Sequence, residues 1–546
     1  MQTISDSLKN ENWKQAHKRV ILNESFVEVS LNIADPDALA KAEPQDNGAI
    51  YISNSSDITN GVDKTPSPYC TLEQNIWCLD GTRKAIPESA FGDNGYVSDV
   101  LSDDTCIFSA KQPIITIGFK GEVFDKVIPG ITINWSNTYG EYADTFSVLA
   151  YNGNTLKAEK EVIGNRSVTS LILVDIDEYD RILVVVKKWC LPNHRARVEE
   201  IFIGLNKVYG KADLFDYSHR QIVDPVSTSL PKVEITFSID NVDGEYNPHN
   251  KDGLAKYLME RQEIKARYGL KLDDGTIAWI NGGTFYLSEW YAKQNGMTAD
   301  FTARDLLEFM STIYYDTEYD VTNEEGRTLK HLAESVIRSA ELPKNSDGTD
   351  KWKIDDSLDT ITTKAPLPED TLANCLQLIA NAAGCVLYQD RTGTLRIEPL
   401  KGGETDTTED TDYEINSFNS YSRSEITLSK PIREVRIKVY TYEPGDREVK
   451  STTTEESLKV GEVGEVITMD NPLVTSTDRA QVLCSWLATH LGHRMTLDSS
   501  WRADVRLDAL DIVKNVNDYN TNRVRMTEVE FKYSGAFRAT GKGKVI

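Results

Sequence analysis

The chain has 546 residues, of which 40% are hydrophobic and 27% charged, and its formal net charge is −25. At roughly 150 residues per domain, this length predicts about three or four domains. So negative a charge argues against a nucleic-acid groove, which needs basic residues, and against attraction to an anionic membrane surface; solubility alone is a sufficient reason for it.

The N-terminal third predicts β structure. Residues 18–33 favour an opening strand or hairpin. Between about residues 68 and 205, short β segments alternate with turns and helical periodicity is almost absent, which is typical of a β-sandwich. These segments are Ile114–Phe119, Ile131–Trp135, Thr145–Tyr151, Val168–Asp175, Arg181–Lys188 and Arg197–Ile203. We therefore expect residues 80–205 to be a sandwich inserted into a first β-barrel made of residues 1–79 and 206–303.

The segment from Pro231 to Trp290 predicts a strand, a turn, one short helix and then further strands. Hydrophobic and polar residues alternate from Val233 to Ile239, so one face of that strand is expected to be buried. The sequence DNVDG at residues 240–244 has turn chemistry. It lacks the bidentate glutamate that closes a calcium loop, so a turn is favoured over a metal site. Leu254–Leu258 has the spacing of a short helix.

Helices and long strands alternate in the remainder. Apolar spacing predicts helices over Asp305–Tyr314, Glu325–Ala340, Glu369–Ala383 and Thr477–Leu491. In the third of these, Asp370 is the expected N-cap and Gly384 the stop, and a hairpin with its turn at Arg391–Gly393 follows. Residues 304–425 are assigned to an α+β middle domain, and residues 426–546 to a second β-barrel with one helix.

Three strings in the sequence resemble one known family. The pattern S-x-D-N-x-D-G-x-(F/Y)-N-P, then GLAKYL and GTFYLSEW, runs from Ser238 to Trp290. It resembles the first barrel of the baseplate hub, or tail-associated, proteins of bacteriophage tail tips. The order helix, AAGC, strand, D-R-x-G, strand around residue 390 resembles that family's second domain, and LDALDIV at residues 507–513 resembles its closing barrel.

The resemblance implies a mainly β fold with α+β parts, in which two hub β-barrels flank a helix-containing middle domain, as in contractile-phage hubs. It implies a homotrimeric ring that closes the distal tail tube around the channel for DNA. The expected partners are the distal tail protein, the tail tube and the tape measure protein, without sequence-specific nucleic acid or a membrane-spanning segment. The expected location is the tail tip of the virion, after assembly in the host cytoplasm; the polar, leaderless N-terminus also predicts synthesis in the cytosol.

The sequence carries no signature of an enzyme or a cofactor site. A nucleophile elbow, a P-loop, HExxH and an EF-hand loop are all absent from it. Its seven cysteines are scattered without CxxC or zinc spacing, so reduced thiols are expected, although Cys70 and Cys78 are near enough in sequence to pair. Among the histidines, only His490 and His493 are close in sequence. We expect no catalysis, no metal and no cofactor.

The candidate ligand-binding residues lie in the insert, whose ending RVEEIFIG at residues 197–204 and strand order resemble galactose-binding-like jelly rolls. They are aromatic and cationic residues beside turns: Trp135, Tyr139, Tyr142, Trp189, His194 and Arg195, with Arg197 close by. Sugars stack on aromatic rings while polar side chains bind their hydroxyls, so a host cell-wall glycan is the expected ligand. Trp135 and Trp189 lie at strand ends, where a core position is an equally good interpretation.

Two functions from different classes therefore stay open. The first is a structural tail-tip hub whose inserted domain helps host attachment. The second is a secreted or cell-wall-directed carbohydrate-active enzyme with a glycan-binding module. The missing leader and the missing catalytic signature count against the enzyme, and activity on purified peptidoglycan or polysaccharide would distinguish the two.

Overall fold

The fold is that of a computed structural model. It describes residues 2, 7–18, 24–45, 47–50, 52–60, 64, 70–71, 85–86, 93–125, 127–251, 253–258, 261–292, 296–315, 327–340, 342, 349–403, 405–443 and 450–546. Strands make up 49% of the structure and helices 14%. The predicted fold class, mainly β with α+β parts, is confirmed. Cys78 lies outside the described residues.

The first part of the chain begins with α1 (Ser7–Lys18), β1 (Ser25–Ala34) and α2 (Pro36–Lys41). Short strands β2 (Glu43–Gln45), β3 (Cys70–Thr71) and β4 (Ala85–Ile86) follow. From residue 96 onward, the strands within the predicted sandwich region are β5 (Tyr96–Leu101), β6 (Ile114–Gly118), β7 (Ile128–Asn134), β8 (Ala143–Asn152), β9 (Thr155–Ile163), β10 (Thr169–Ile176), β11 (Arg181–Trp189), β12 (Arg195–Val198) and β13 (Glu200–Phe202). All the short β segments expected between residues 114 and 203 are strands.

The next part returns to long strands and carries the hub-like strings. Its strands are β14 (Gly204–Tyr209), β15 (Leu214–Ile222), β16 (Lys232–Asp240), β17 (Glu263–Lys271), β18 (Ile277–Ala292) and β19 (Thr298–Arg304). The burial of β16 alternates as the sequence predicts, and DNVDG is a turn in which Gly244 N–H donates to the Asn241 carbonyl at 2.9 Å. The short helix is a single 3-10 turn, Ala255–Tyr257.

The remaining elements alternate helices and strands. They are α3 (Leu307–Met310), β20 (Arg327–Thr328), α4 (Leu329–Ser339), β21 (Trp352–Ile354), β22 (Thr362–Thr363), α5 (Leu372–Ala382), β23 (Cys385–Gln389), β24 (Leu395–Pro399), β25 (Asp410–Ile415), β26 (Glu425–Leu428), β27 (Ile432–Glu443), β28 (Lys450–Lys459), β29 (Glu465–Met469), α6 (Thr477–Gly492), β30 (Met495–Arg502), β31 (Ile512–Val516), β32 (Thr521–Tyr533) and β33 (Phe537–Val545). Helix α5 is capped by Thr371 instead of the predicted Asp370, because the Thr371 side chain accepts the Asn374 N–H at 3.3 Å.

Strands from both predicted barrels belong to one sheet of 13 strands, whereas β27, β28 and β29 form a separate sheet. Its main path runs β14-β1-β17-β18-β19-β16-β15-β32-β33-β30-β26, and β31 and β25 extend it from β32. The two halves meet where β15 pairs antiparallel with β32, from Tyr217 opposite Tyr533 to Ile222 opposite Glu528. The halves therefore share continuous backbone hydrogen bonding.

The sheet curls around a shared core. The hydroxyls of Tyr217 in β15 and Tyr268 in β17 lie 2.7 Å apart, although three strands separate β15 from β17 along the sheet. The Tyr533 hydroxyl donates to the Ser25 carbonyl at 3.0 Å, which links the second half back to β1. Because buried side chains from both halves form one hydrophobic cluster, the two halves fold as a joined body.

A second core lies in the middle of the chain, where α4, α5 and α6 pack with β23 and β24. Val435 and Ile437 of β27, and Leu483 of α6, belong to this core and not to the core of the curled sheet. Cys375 and Cys484 are buried in it, as their helical positions predict. The domain limits remain a prediction. From this packing we propose that the middle unit also includes residues 432–492.

A third core lies between two sheets of the insert. The order of the first sheet is β2-β6-β11-β8-β9, and that of the second is β10-β7-β13. Side chains of both sheets, such as Ile133 of β7 and Val184 of β11, form one cluster, to which Ala38 and Ile58 also belong. We therefore propose that the sandwich unit begins near residue 36, whereas residue 80 was the predicted limit.

Candidate functional site

Trp135 and Trp189 are core residues of the sandwich, so the prediction that they form an exposed stacking surface is wrong. Both side chains are 0% exposed, and their ring centroids lie 6.0 Å apart in an edge-to-face arrangement. Each indole N–H has a buried partner: Trp135 Nε1 donates to Ser170 Oγ at 2.9 Å, and Trp189 Nε1 to Glu141 Oε2 at 2.8 Å. A buried indole is stable here because its polar atom is satisfied, which leaves no ring face for a sugar.

Glu141 is the residue around which the predicted aromatic and basic side chains meet. Its second oxygen, Oε1, lies 2.9 Å from His194 Nδ1. Burial alone would raise the pKa of Glu141, but the hydrogen bonds from His194 and Trp189 and the nearby charge of Arg197 outweigh it, so this pKa is lowered. The carboxylate is therefore ionised at neutral pH. Since it can only accept, Nδ1 of His194 carries the donated proton and Nε2 is left as an acceptor in the neutral ring.

Tyr139 is the predicted aromatic residue that remains well exposed. It lies in the turn between Ser136 and Glu141, which exchange two backbone hydrogen bonds of 3.1 Å. The ring is 39% exposed, and the Arg197 guanidinium lies 4.6 Å from its centroid. The cation covers one ring face and stabilises its position, so the turn can offer the ring to a ligand.

Tyr142 and Arg195 support the site without forming its surface. Tyr142 is half-buried against the third core, and its N–H contacts Cys190 Sγ at 3.3 Å. Arg195 is buried, and its guanidinium donates to the Ser98 carbonyl at 2.7 Å. Its predicted role as a surface cation for sugar hydroxyls is wrong, because this contact ties β12 to β5 within the fold.

Sequence reasoning missed Glu141, the carboxylate that orients both Trp189 and His194. Nothing in the local sequence distinguishes it from the other 84 acidic residues of the chain, since Asp and Glu together number 85. Its partners lie 48 and 53 positions away. Only the folded sandwich brings them together.

A second polar centre joins the middle unit to the curled sheet. Arg391, in the D-R-x-G turn between β23 and β24, is 4% exposed. Its Nε donates to Asp508 Oδ1 at 2.6 Å, and its other nitrogens donate to the carbonyls of Val505 at 2.6 Å, Leu507 at 2.7 Å and Asn281 at 3.2 Å. This single guanidinium therefore contacts both halves of the sheet.

Charge and packing both fix this junction. Burial opposes ionisation of either partner, but each partner's charge more than offsets it, so the pKa of Arg391 is raised and that of Asp508 is lowered. Gly393 in the same turn has φ of +81°, and a Cβ there would lie 3.1 Å from the Thr284 Cβ. The turn is thus packed directly on β18.

Beside the junction, the sheet interior contains a neutral histidine. His219 Nδ1 lies 2.7 Å from the Tyr268 hydroxyl. Burial, and next the charge of Arg391, lower the pKa of His219 to about 3. An uncharged, hydrogen-bonded imidazole suits a structural role in the core.

Histidines, cysteines and carboxylates are the side chains that bind metal ions in proteins. Among the described residues, no three His, Cys, Asp or Glu side chains come together as metal ligands would. His490 and His493 lie near Arg525 beside a half-open cavity of about 250 Å³. Within the same described parts of the chain, no helix is long and apolar enough to span a membrane.

No protein-family model matches the sequence, and no curated protein matches it. Several solved structures are similar. A 43 kDa tail protein of prophage MuSo2 from Shewanella oneidensis is 11% identical, with 62% of this chain and 95% of that chain covered and a TM-score of 0.40. A tail protein from Neisseria meningitidis is 12% identical, with 63% and 94% covered and a TM-score of 0.41. A type VI secretion component of Escherichia coli is 8% identical, with 61% and 74% covered and a TM-score of 0.35.

These matches include proteins of the kind that the sequence strings resemble. Because the TM-scores all lie below 0.5, the function proposed next depends on the residues and contacts of this chain itself.

Proposed function

We propose that this chain is a non-catalytic structural hub of a phage tail tip. It closes the distal end of the tail tube as a homotrimeric ring around the channel for DNA and the tape measure protein, beside the distal tail protein. The observation that carries the proposal is the hub-like segment from Ser238 to Trp290, which forms β16 to β18 at the centre of the 13-stranded sheet.

The physical demands on such a hub match the properties of this chain. A ring subunit needs a body that keeps its orientation under load. Here the pairing of β15 with β32 joins the two halves of the sheet, and the Arg391 junction holds the sheet to the middle unit. A channel for DNA must not bind phosphate, and a net charge of −25 favours repulsion. Closed rings of identical subunits are the usual way to cap a symmetric tube.

A reconstruction of an intact tail tip tests this proposal. We expect three copies of the chain in a closed ring at the distal end of the tube. The intact tail is the right sample because an isolated subunit can remain monomeric until the tube nucleates the ring. A tail tip in which this chain occupies another position, or in which single copies stand apart, would overturn the proposal.

We further propose that the insert helps host attachment by binding a cell-wall glycan through Tyr139 and His194. The observation that favours this role is an exposed ring, stiffened by Arg197, on the same turn as the carboxylate that orients His194. A sugar can stack its C–H face on Tyr139, while a hydroxyl donates to Nε2 of His194.

Matched tyrosine variants test glycan binding. Tyr151 lies in β8 of the same sandwich, is half-buried, and packs with the Arg181 guanidinium 5.3 Å from its ring centroid. In pull-down on host cell walls, Tyr139→Ala should lose binding by at least about tenfold, which corresponds to 1.4 kcal/mol, while Tyr151→Ala retains it. Equal binding by both variants, or no binding by the wild-type protein to walls of any candidate host, would remove the adhesive role and leave the structural one standing.

A further inference from the structure

Two cysteines of the insert lie on neighbouring segments beside Glu141 and its partners Trp189 and His194. Cys106 and Cys190 are both free and half-buried. The Trp189 N–H donates to the Cys106 carbonyl at 2.8 Å, and Ile107 forms a β-bridge with Lys188. Cys106 therefore lies opposite Trp189, the residue directly before Cys190.

In a regular ladder, neighbouring residues would point to opposite faces and keep the two thiols apart. Two irregularities interrupt that alternation at the two cysteines. The register of β11 against β8 shifts between Val186 and Lys188 and again between Lys188 and Trp189. Cys106 has φ of 69°, so its Cβ leaves the usual direction of a strand residue.

The surroundings of Cys190 agree with this proximity. Burial is the main cause of the raised pKa of the Cys190 thiol. The Glu141 carboxylate and the Cys106 thiol raise this pKa further, whereas the Tyr142 N–H, which contacts the Cys190 sulfur, lowers it. By contrast, Cys375, Cys385 and Cys484 are buried in the second core.

We propose that Cys106 and Cys190 form an oxidation site, which closes to an intramolecular disulfide by exchange with a low-molecular-weight disulfide such as oxidised glutathione. One protein thiolate attacks the glutathione disulfide and releases one reduced glutathione. The second protein thiolate then attacks the mixed disulfide and releases another. Two protein thiols are oxidised, one glutathione disulfide is reduced to two thiols, and the two protein protons pass to the released thiolates.

The bond would tie the loop at residues 102–107 to the end of β11, next to Glu141 and His194. That loop already contacts the segment after β11, because Ser102 Oγ donates to the Leu191 carbonyl at 2.9 Å and Asn193 donates to Asp104 at 3.0 Å. A role for the bond in the virion rests on the proposed function, since a released tail leaves the reducing cytosol. The exchange chemistry does not depend on that role.

The experiment uses the full chain, equilibrated with graded ratios of oxidised to reduced glutathione near pH 8.5, about the usual pKa of a cysteine. Free thiols are then alkylated in denaturant, and the digest is mapped by mass spectrometry without reduction. We expect one cross-linked peptide pair, joining Cys106 to Cys190, whose mass is lower than that of the two free peptides by two hydrogen atoms. Thermal unfolding of the oxidised protein should occur at a higher temperature than that of the reduced protein.

Variants make the result decisive. Cys106→Ser and Cys190→Ser should each abolish the cross-link and the shift in unfolding temperature, while Cys375→Ser should change neither. The proposal is overturned if the pair stays reduced at every ratio, if each cysteine only carries glutathione, or if either pairs with Cys70 or Cys78 instead. None of these results bears on whether the chain forms a ring at the tail tip, so the two proposals fail separately.

Discussion

Replacing Arg391 with methionine tests whether the buried junction holds the middle unit to the sheet. Methionine approximates the length of the arginine stem but cannot donate to Asp508 or to the carbonyls of Val505 and Leu507. Removing one partner of a buried ion pair destabilises a protein by about 3–5 kcal/mol, because the remaining charge stays buried without compensation. The Asp508 side chain is 20% exposed and also accepts hydrogen bonds from Gln2 and Gln221. We therefore expect Arg391→Met to lower the free energy of unfolding by about 3 kcal/mol, the lower end of that range.

Urea unfolding followed by tryptophan fluorescence measures this change, and Arg220→Met is the matched control. Arg220 also bridges two strands, with its guanidinium 2.7 Å from Glu528, but its side chain is 50% exposed. Exposed pairs contribute roughly 0–1 kcal/mol, so the control should remain close to wild type. Arg391→Met/Asp508→Leu removes both charges and should recover much of the loss, as replacement of a whole buried pair often does.

The pH dependence gives an independent check. Arg391 lowers the pKa of Asp508, so the pair stabilises the fold above the ordinary aspartate pKa, and this stability is lost as pH falls. In Arg391→Met the carboxylate has lost its cation, so its pKa should rise. The stability gap between wild type and variant should be large at pH 7–8 and shrink toward about pH 4. A variant that unfolds at the midpoint of the Arg220→Met control, with a gap independent of pH, would refute the reasoning.

Two further predictions concern buried groups. Burial raises the pKa of Asp305 from 3.8 to about 7, although the N–H groups of Leu307 and Val233 donate to the carboxylate and oppose this shift. The free energy of unfolding of the wild-type protein should therefore fall by up to about 4 kcal/mol between pH 4 and 7. In urea unfolding at several pH values, Asp305→Asn should not show that fall. Trp135→Ala should destabilise the sandwich by about 3–5 kcal/mol and lower its melting temperature. Tyr139→Ala should have the melting temperature of the wild-type protein. If calorimetry gives the wild-type melting temperature for both variants, Trp135 is not a core residue.

The fold class and the elements with strong local patterns could be predicted from the sequence. The alternation of apolar and polar residues predicted both ends of β16 to within one residue, and apolar spacing predicted helices α5 and α6. These predictions succeed because the period of the side chains and the capping of helices are local properties of the sequence. The helix predicted over Asp305–Tyr314 is shorter in the structure, where α3 spans only Leu307–Met310. Leu307 and Met310 of this helix pack into the second core, which a local pattern does not reveal.

The long-range arrangement could not be predicted. The pairing of β15 with β32 lets the side chains of Ser218 and Glu530, which lie 312 positions apart, form a hydrogen bond. Each strand alone has the pattern of an ordinary half-buried strand. The burial of Trp135 likewise depends on a partner, Ser170, that is 35 positions away. A tryptophan at a strand end is compatible with core and with surface until that partner is known.

The chemistry of the junction indicates why a charged contact stands where an apolar one would give equal stability. Ionising Arg391 and Asp508 in the interior requires desolvation, so the pair adds little net stability over a hydrophobic replacement. An apolar contact tolerates sliding, whereas a planar guanidinium must meet its acceptors in fixed directions. Three of those acceptors are carbonyls from both halves of the sheet. We infer that the junction specifies orientation more than it adds stability. Arg391→Met/Asp508→Leu tests this: the double variant should recover much of the stability lost in Arg391→Met, yet fail to assemble a regular ring. A regular ring formed by the double variant would contradict the inference.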